Sequence, residues 1–163
     1  MKQISSIYHN NAQEVFGRVT LKGKNVFNRA SYILVSDDEK DFARGYKFNV
    51  FSKDIGDSSL PHCKVADISD FNEGDVVSID AQGEICFLYE IKSTSNAIFA
   101  TARCNHRCIM CPQPPIAQEQ DRTAFNLELI QMFDKKTQEV GITGGEPTMI
   151  GDKLFDLIKQ IKK

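Results

Sequence analysis

Three of the five cysteines in this chain lie within one stretch of eight residues. Cys104, Cys108 and Cys111 follow a C-x3-C-x2-C spacing, directly after the apolar, strand-like run 97–102. Three prolines follow between residues 112 and 115, so a regular helix or a central strand is not expected there. This composition is typical of a loop that wraps a metal centre. We refer to residues 104–111 as the cysteine loop.

The composition is that of an ordinary globular protein, and it argues against several partners. The chain has 163 residues, with 41% hydrophobic and 26% charged residues and a formal net charge of -2. Neither nucleic acid nor an anionic membrane is therefore expected as a partner. No apolar run approaches the roughly 20 residues that span a bilayer, and the N-terminus lacks the apolar core of a signal peptide. We expect a cytoplasmic protein with reduced thiols.

The remaining cysteines have a different setting. Five is an odd number, and three of the five are crowded, so a disulfide framework is not expected. Cys63 and Cys86 stand alone within apolar, strand-like runs. We predict that these two residues are small buried hydrophobes and that only the cysteines of the cysteine loop are metal ligands.

The sequence predicts two domains with different organisation. Residues 1–95 form a β-rich N-terminal domain, whose last two strands pair as a hairpin across the turn 81–83. The polar stretch 91–96 contains the domain boundary, and residues 96–163 form the second domain. Six strands are predicted in the first domain, at residues 14–21, 31–36, 46–51, 62–68, 75–80 and 84–90.

The second domain is predicted to have the order β-α-β-α, which gives an α/β fold with parallel strands. The cysteine loop follows its first strand, and a helix capped by Asn126 comes next. The second strand covers residues 139–143. The last helix has apolar residues at i, i+3, i+4 and i+7, namely Leu154, Leu157, Ile158 and Ile161.

Three thiolates on one loop can hold three irons of a four-iron cluster and leave the fourth iron open to another ligand. An open position is typical of a reactive metal site, whereas a structural site is closed. A zinc site that uses His106 as the fourth ligand is the main alternative.

A second motif follows the second strand. Residues 144–147 read Gly-Gly-Glu-Pro, and two glycines allow the backbone to approach a ligand closely. Ligands of α/β sheets bind at the carboxyl ends of the strands, and the cysteine loop also follows a strand. Both loops should therefore open at one edge of the sheet and face one ligand. A simple turn with a solvent-facing glutamate remains the alternative.

The two motifs together resemble the radical S-adenosylmethionine (radical SAM) superfamily. The resemblance implies that Cys104, Cys108 and Cys111 bind a [4Fe-4S] cluster and that the amino and carboxylate groups of SAM chelate the fourth iron. It also implies reductive cleavage of SAM to methionine and a 5'-deoxyadenosyl radical, which abstracts hydrogen from a substrate. The cluster then needs an electron donor as a partner.

The same resemblance assigns residues to SAM. Met110 matches the apolar position before the third cysteine, which lies near the SAM adenine in this family. Gly144, Gly145 and Glu146 match the motif that binds the SAM amino group, and Pro147 shapes the turn.

The wider stretch 104–115, preceded by a β-rich domain, is most similar to the maturases of the His-Xaa-Ser peptide-modification system. This similarity implies a precursor peptide as substrate. Residues 96–163 provide only two βα units of a TIM-like barrel, whereas a closed eight-unit barrel takes about 250 residues. A fragment, a truncated product or a barrel completed by a second chain is therefore expected. Two functions stay open besides the enzyme: a non-catalytic iron-sulfur carrier and a zinc-binding interaction module.

Overall fold

The chain has a mixed α/β fold that divides into two compact units. A computed structural model describes residues 2–10, 13–24, 26–41, 44–53, 58–111, 116 and 119–163. The first unit is Met1–Lys92 and the second is Ser93–Lys163, so the division falls three residues before the boundary predicted from the sequence. Within the described residues, both α-helices belong to the second unit.

The first unit is built on one eight-stranded sheet with the order β1-β8-β7-β3-β4-β5-β6-β2. Neighbouring strands from β3 to β6 are parallel, and all other pairs are antiparallel, including the predicted β7-β8 hairpin. Short 3-10 helices cover Val26–Ser31 and Glu39–Asp41. The strands are β1 (Gln3–Ser5), β2 (Tyr8–His9), β3 (Val15–Thr20), β4 (Tyr32–Ser36), β5 (Phe48–Phe51), β6 (His62–Lys64), β7 (Val76–Ile79) and β8 (Glu84–Tyr89).

This sheet closes on itself. Its two end strands, β1 and β2, are separated in the chain only by Ser6 and Ile7. In a flat sheet, seven strand spacings would hold them about 34 Å apart, but three residue steps reach at most about 11 Å. The backbone confirms the closure, because Ser6 N donates to Gly83 O (3.1 Å) beside β8 and Ile7 N donates to Lys64 O (2.7 Å) of β6.

The core of the first unit collects side chains from every strand between β3 and β8. Phe71 and Phe87 stack within it, with ring centroids 5.1 Å apart. Cys63 belongs to this core and is fully buried, as predicted, and burial raises the pKa of its thiol to about 12. Cys86 differs from the prediction, because it is only half-buried and its sulfur accepts a hydrogen bond from Gln3 Nε2 (3.3 Å).

The second unit has the predicted β-α-β-α order. β9 (Asn96–Thr101) and β10 (Val140–Gly144) are parallel, and α1 (Thr123–Gln131) connects them. A short 3-10 helix, Pro147–Ile150, leads into α2 (Asp152–Ile161). Both helices pack on one face of the strand pair, where the core residues include Ile98, Ala100, Ile130 and Leu157.

The predicted cap of α1 is wrong. The helix begins at Thr123, and Asn126 lies one turn inside it. Asn126 is buried, and its Nδ2 donates to Phe99 O of β9 (3.1 Å). The start of the helix is fixed by Asp121, whose Oδ1 accepts from both the backbone N (3.0 Å) and the hydroxyl (2.6 Å) of Thr123. An acceptor placed earlier in the chain thus displaces the helix start by one turn.

Candidate functional site

The two motif loops leave the same edge of the parallel strand pair. β10 lies in register with β9 from Val140 opposite Asn96 to Thr143 opposite Phe99. The register then shifts by one residue, so that Gly144 lies opposite Thr101. The cysteine loop continues from β9, and residues 144–147, which we call the glutamate loop, continue from β10. Both loops therefore start at the carboxyl ends of neighbouring strands, where α/β proteins bind ligands.

Backbone hydrogen bonds join these two loops beyond the strands. Gly145 N donates to Thr101 O (2.7 Å), and Glu146 N donates to Arg103 O (2.8 Å). Arg103 immediately precedes Cys104. The glutamate loop is thus fixed to the chain one residue before the first cysteine.

Both glycines of the glutamate loop are required by this close approach. Gly144 has a φ of +146°, and a Cβ on it would lie 2.2 Å from Thr101 O. A Cβ on Gly145 would lie 2.2 Å from Arg103 O. Contacts under 3.0 Å are essentially never made by real Cβ atoms. The sequence suggested that the glycines admit a ligand, whereas the structure shows that they admit the neighbouring backbone.

Glu146 presents one carboxylate oxygen toward the cysteine loop. Its Oε1 accepts from the hydroxyl (2.6 Å) and the backbone N (3.0 Å) of Thr148. Its Oε2 lies 3.5 Å from His106 Nε2. The Thr148 hydroxyl, then the Thr148 N–H and the nearby imidazole, lower the pKa of Glu146. The side chain is therefore an ionised carboxylate at neutral pH, with one oxygen held and the other facing the loop.

None of the three cysteines of the cysteine loop is in a disulfide. Cys104 is half-buried and its Sγ accepts from His106 N (3.4 Å), whereas Cys108 and Cys111 are exposed. Cys111 N donates to Cys108 O (3.1 Å), which closes a turn between these two cysteines. Within the described part of the chain, no three His, Cys, Asp or Glu side chains are gathered as a group that could hold a metal ion.

The donor set nevertheless fits a thiolate-bound cluster in number and type. It offers three thiols on one loop, none of them in a disulfide, and hydrogen bonds to sulfur such as that from His106 N are one way in which proteins tune iron-sulfur centres. The zinc alternative required His106 as the fourth ligand. In this structure the His106 ring faces Glu146, on the glutamate loop.

The turn between Cys108 and Cys111 exposes two large apolar side chains. Met110, the residue predicted to lie near adenine, is 94% exposed, and Ile109 is fully exposed. Exposed neighbouring apolar residues are typical of a surface that contacts something else. Residues 112–115, which complete the stretch similar to the His-Xaa-Ser maturases, lie outside the described residues.

Glu119 also belongs to this region, although it was not predicted from the sequence. Its Oε2 accepts from the hydroxyl of Thr101 (2.7 Å) and from Ala102 N (2.6 Å). Thr101 is 2% exposed, and its hydroxyl oxygen also accepts from Arg103 N (3.0 Å). Glu119 belongs to no recognisable motif, and its partners lie 17 and 18 residues away, so no local signal identifies it.

Among the described residues, the second unit has a pocket at each of its two ends. The smaller, of about 120 Å³, is at the base of the cysteine loop and is lined by Thr101, Arg103, Glu119 and Lys153 among others. The larger, of about 520 Å³, is lined by Ile130, Val140 and the end of α2. Val140 begins β10, so the larger pocket is at the amino end of the strand. We place the site at the smaller pocket's end, because ligands of parallel sheets bind at the carboxyl ends.

Comparisons with protein-family models, with curated proteins and with solved structures find no match to this chain. Among the described residues, no helix combines the length and the apolar character needed to cross a membrane. The functional interpretation therefore depends on the residues and geometry of the two loops.

Proposed function

We propose that the chain is a radical SAM [4Fe-4S] protein that acts on a peptide. The observation that carries this proposal is the direct pairing of the two motif loops, through Gly145 N to Thr101 O and Glu146 N to Arg103 O. In the radical SAM family the corresponding loops bind one ligand together, which requires them to be neighbours. A structure that placed the two loops at different edges of the sheet would have excluded a shared site.

The proposed roles follow from the chemistry of each loop. Cys104, Cys108 and Cys111 hold the cluster through their thiolates. When bound, the cluster supplies the electron that cleaves SAM into methionine and a 5'-deoxyadenosyl radical, which takes hydrogen from the substrate. In this proposal Glu146 Oε2 would accept a hydrogen bond from the amino group of SAM, and the negative charge of the carboxylate would strengthen that bond. Thr148 holds the other oxygen of Glu146 and so orients the carboxylate.

The bonds between the loops have a functional consequence in this proposal. They fix the carboxylate of Glu146 relative to the segment that carries Cys104. A binding site held by such backbone contacts is preorganised, so less free energy is spent on orienting the ligand. The amino group of SAM would compete with His106 for the same carboxylate oxygen, because Oε2 faces that ring.

The partial TIM-like barrel is part of the same proposal. On the strand face opposite the helices, four residues of β9 and β10 are exposed: Ala97, Phe99, Gly141 and Thr143. In a βα barrel the helices lie outside and this face turns inward. A peptide would then reach the site across this face, and the His-Xaa-Ser type of peptide is the substrate class we propose.

Anaerobic reconstitution with iron and sulfide tests the cluster. We expect visible absorption typical of thiolate-bound iron-sulfur clusters and about four irons and four sulfides per chain. Replacing any one of the three loop cysteines with alanine should abolish this signal, whereas Cys63→Ala and Cys86→Ala should retain it. A colourless protein that holds zinc through the loop cysteines would contradict the proposal and favour the zinc-binding module.

A non-catalytic cluster carrier is the second candidate. It is favoured by the finding that Gly144 and Gly145 are needed for packing against the neighbouring backbone, so their presence does not itself require SAM. Electron paramagnetic resonance of the reduced cluster separates the two candidates. SAM should change the spectrum of the wild-type protein if it binds the cluster, and a spectrum that is unchanged at saturating SAM identifies a carrier.

A further inference from the structure

We propose that Glu119 is a positioning residue that closes the base of the cysteine loop and holds it in register with the glutamate loop. The idea rests on the proposed function for its purpose, since the loop is positioned in order to bind a cluster. Glu119 is not placed in contact with cluster or SAM. It acts through the segment 101–103, which enters the cysteine loop.

One oxygen of Glu119 contacts two residues of this segment. Oε2 accepts from the Thr101 hydroxyl at 2.7 Å and from Ala102 N at 2.6 Å. The same Thr101 hydroxyl oxygen accepts from Arg103 N at 3.0 Å. The carboxylate therefore fixes the N–H groups of two successive residues, one directly and one through the threonine. Hydrogen bonds to an ionised acceptor are roughly twice as strong as neutral ones.

The position of Glu119 in the chain makes this contact a loop closure. The chain enters the cysteine loop after Arg103 and reaches Glu119 after passing all three cysteines. The side-chain bonds of Glu119 thus join two points of the chain that lie before and after the cysteine loop and are 17 and 18 residues apart. Joining the ends in advance removes part of the ordering cost that ligand binding would otherwise meet.

The segment 101–103 also carries the contacts with the glutamate loop. Its carbonyl oxygens at Thr101 and Arg103 accept from Gly145 N and Glu146 N. Glu119 therefore fixes the N–H side of a segment whose C=O side is fixed by the glutamate loop. Without Glu119, the segment can shift and move the first cysteine relative to Glu146.

The surroundings of this contact favour a specific role over a general surface charge. Thr101 is 2% exposed, so its hydroxyl bond lies where water competes little. Lys153 lines the same pocket, but its ammonium group pairs with Asp121 (2.7 Å). The carboxylate of Glu119 thus contacts the segment 101–103 that enters the cysteine loop. The nearby ion pair between Lys153 and Asp121 instead joins α2 to the start of α1.

Variants of the complete chain test this role at two levels. Glu119→Ala removes the acceptor, and Glu119→Gln keeps an oxygen in place without the charge. Thr101→Val removes the hydroxyl, and Thr101→Ser keeps it. Glu139→Ala is the matched control, because Glu139 is exposed and lies in the same unit, just before β10. Tyrosine fluorescence and the helical circular dichroism signal verify that each variant is folded.

The first readout is hydrogen exchange of the Ala102 amide in the metal-free protein. We expect exchange to be about tenfold faster in Glu119→Ala, a factor that corresponds to about 1.4 kcal/mol. Glu119→Gln and Thr101→Ser should stay within about threefold of wild type, and Glu139→Ala should not differ. Adding Thr101→Val to Glu119→Ala should change the Ala102 exchange little further, because Glu119→Ala already removes both the bond to Ala102 N and the bond to the Thr101 hydroxyl.

The second readout is the rate at which a chelator removes iron from the reconstituted protein. We expect about tenfold faster loss in Glu119→Ala and Thr101→Val, with rescue in Glu119→Gln and Thr101→Ser. Faster amide exchange without faster iron loss would overturn the positioning role and leave only a local structural contact. Unchanged exchange in Glu119→Ala would overturn the closure itself.

The two levels also separate this inference from the proposed function. If the wild-type chain takes up no iron-sulfur cluster, the proposed function fails. The alkylation rate of Cys104 in the metal-free protein then decides the inference together with the Ala102 exchange. Closure by Glu119 predicts that both rates rise in Glu119→Ala, and equal rates in wild type and variant would refute it.

Discussion

Replacing Gly145 with alanine should destabilise the second unit by separating the two motif loops. A Cβ at this position would lie 2.2 Å from Arg103 O and 2.9 Å from Ala102 O. Gly145 differs from Gly144, whose φ of +146° would add backbone strain to any substitution. The Gly145→Ala variant therefore isolates the close approach of the two backbones.

The size of the effect follows from the contacts that must break. Ordinary contact begins near 3.4 Å, so the segments have to move apart by about 1 Å. Such a shift weakens the bonds from Gly145 N to Thr101 O and from Glu146 N to Arg103 O, each worth about 1 kcal/mol net. Overpacking adds about 1–3 kcal/mol. When the two segments move apart, the overlap is relieved while the hydrogen bonds are weakened, so the two costs are not fully additive. We therefore expect the free energy of unfolding to fall by about 2–4 kcal/mol in total.

The distribution of chromophores allows each unit to be followed by itself. The chain has no tryptophan, and both described helices lie in the second unit, so helical circular dichroism reports mainly on that unit. Tyrosine fluorescence reports on the first unit, which contains all four tyrosines: Tyr8, Tyr32, Tyr46 and Tyr89. If the free energy of unfolding falls by about 1 kcal/mol per M of urea, the midpoint measured by helical circular dichroism should move to lower urea by about 2–4 M. The midpoint measured by tyrosine fluorescence should not move.

Gly141→Ala, in the strand β10 that leads into the glutamate loop, is the matched control. A Cβ at Gly141 would meet Ala97 Cβ at 3.5 Å, an ordinary contact, and its φ needs no glycine. This variant should be neutral or stabilising by about 0.4–1 kcal/mol, since alanine restricts the unfolded chain. The close approach would be refuted if Gly145→Ala had the same urea midpoint by helical circular dichroism as wild type and Gly141→Ala.

Three further predictions concern titration, reactivity and an ion pair. Thr148→Val should raise the pKa of Glu146 toward its ordinary value of 4.5, measured by NMR titration. Because the folded pKa is depressed, the carboxylate stabilises wild type above about pH 4.5 and loses this effect as pH falls through the folded value. Cys63 should resist alkylation in the native chain at neutral pH, since burial raises the pKa of its thiol to about 12. Mass spectrometry should then find alkyl groups on the loop cysteines and none on Cys63. Lys153→Met should raise the pKa of Asp121 but cost at most about 1 kcal/mol of unfolding free energy, because both partners are about half exposed.

The order of elements in the second unit could be predicted because it depends on local patterns. Apolar periodicity identified β9, β10 and α2, and the parallel pairing follows from a helix between two strands. The closure of the first unit could not be predicted in this way. β1 and β2 are three and two residues long, too short to give a period, and their pairing with β8 and β6 depends on contacts distant in sequence.

In the candidate site, too, the features that depend on local spacing could be predicted and those that depend on distant contacts could not. Cys104, Cys108 and Cys111 are recognisable because their spacing is local. The bonds between the two loops depend on the register of β9 and β10, more than 40 residues apart, and no spacing within one loop predicts them. Glu119 was missed for the same reason. A side chain that acts on a distant backbone segment leaves no pattern in its own neighbourhood.

The structure shifts the evidence for SAM from the glycines to the carboxylate of Glu146. The glycines are already explained by the neighbouring backbone, and Oε1 of Glu146 is used by Thr148 at the start of the 3-10 helix, whereas Oε2 faces His106 and is the oxygen that we assign to SAM. Glu146→Gln should therefore weaken any change that SAM makes in the cluster spectrum, because a neutral amide oxygen accepts a hydrogen bond from the SAM amino group less strongly than a carboxylate does. Its backbone N–H to Arg103 O stays in place, so the unfolding transition should shift by less than about 1 kcal/mol. An equal loss of stability in Glu146→Gln and Gly145→Ala would show that Glu146 serves the fold, and the carrier would then be the better explanation of this site.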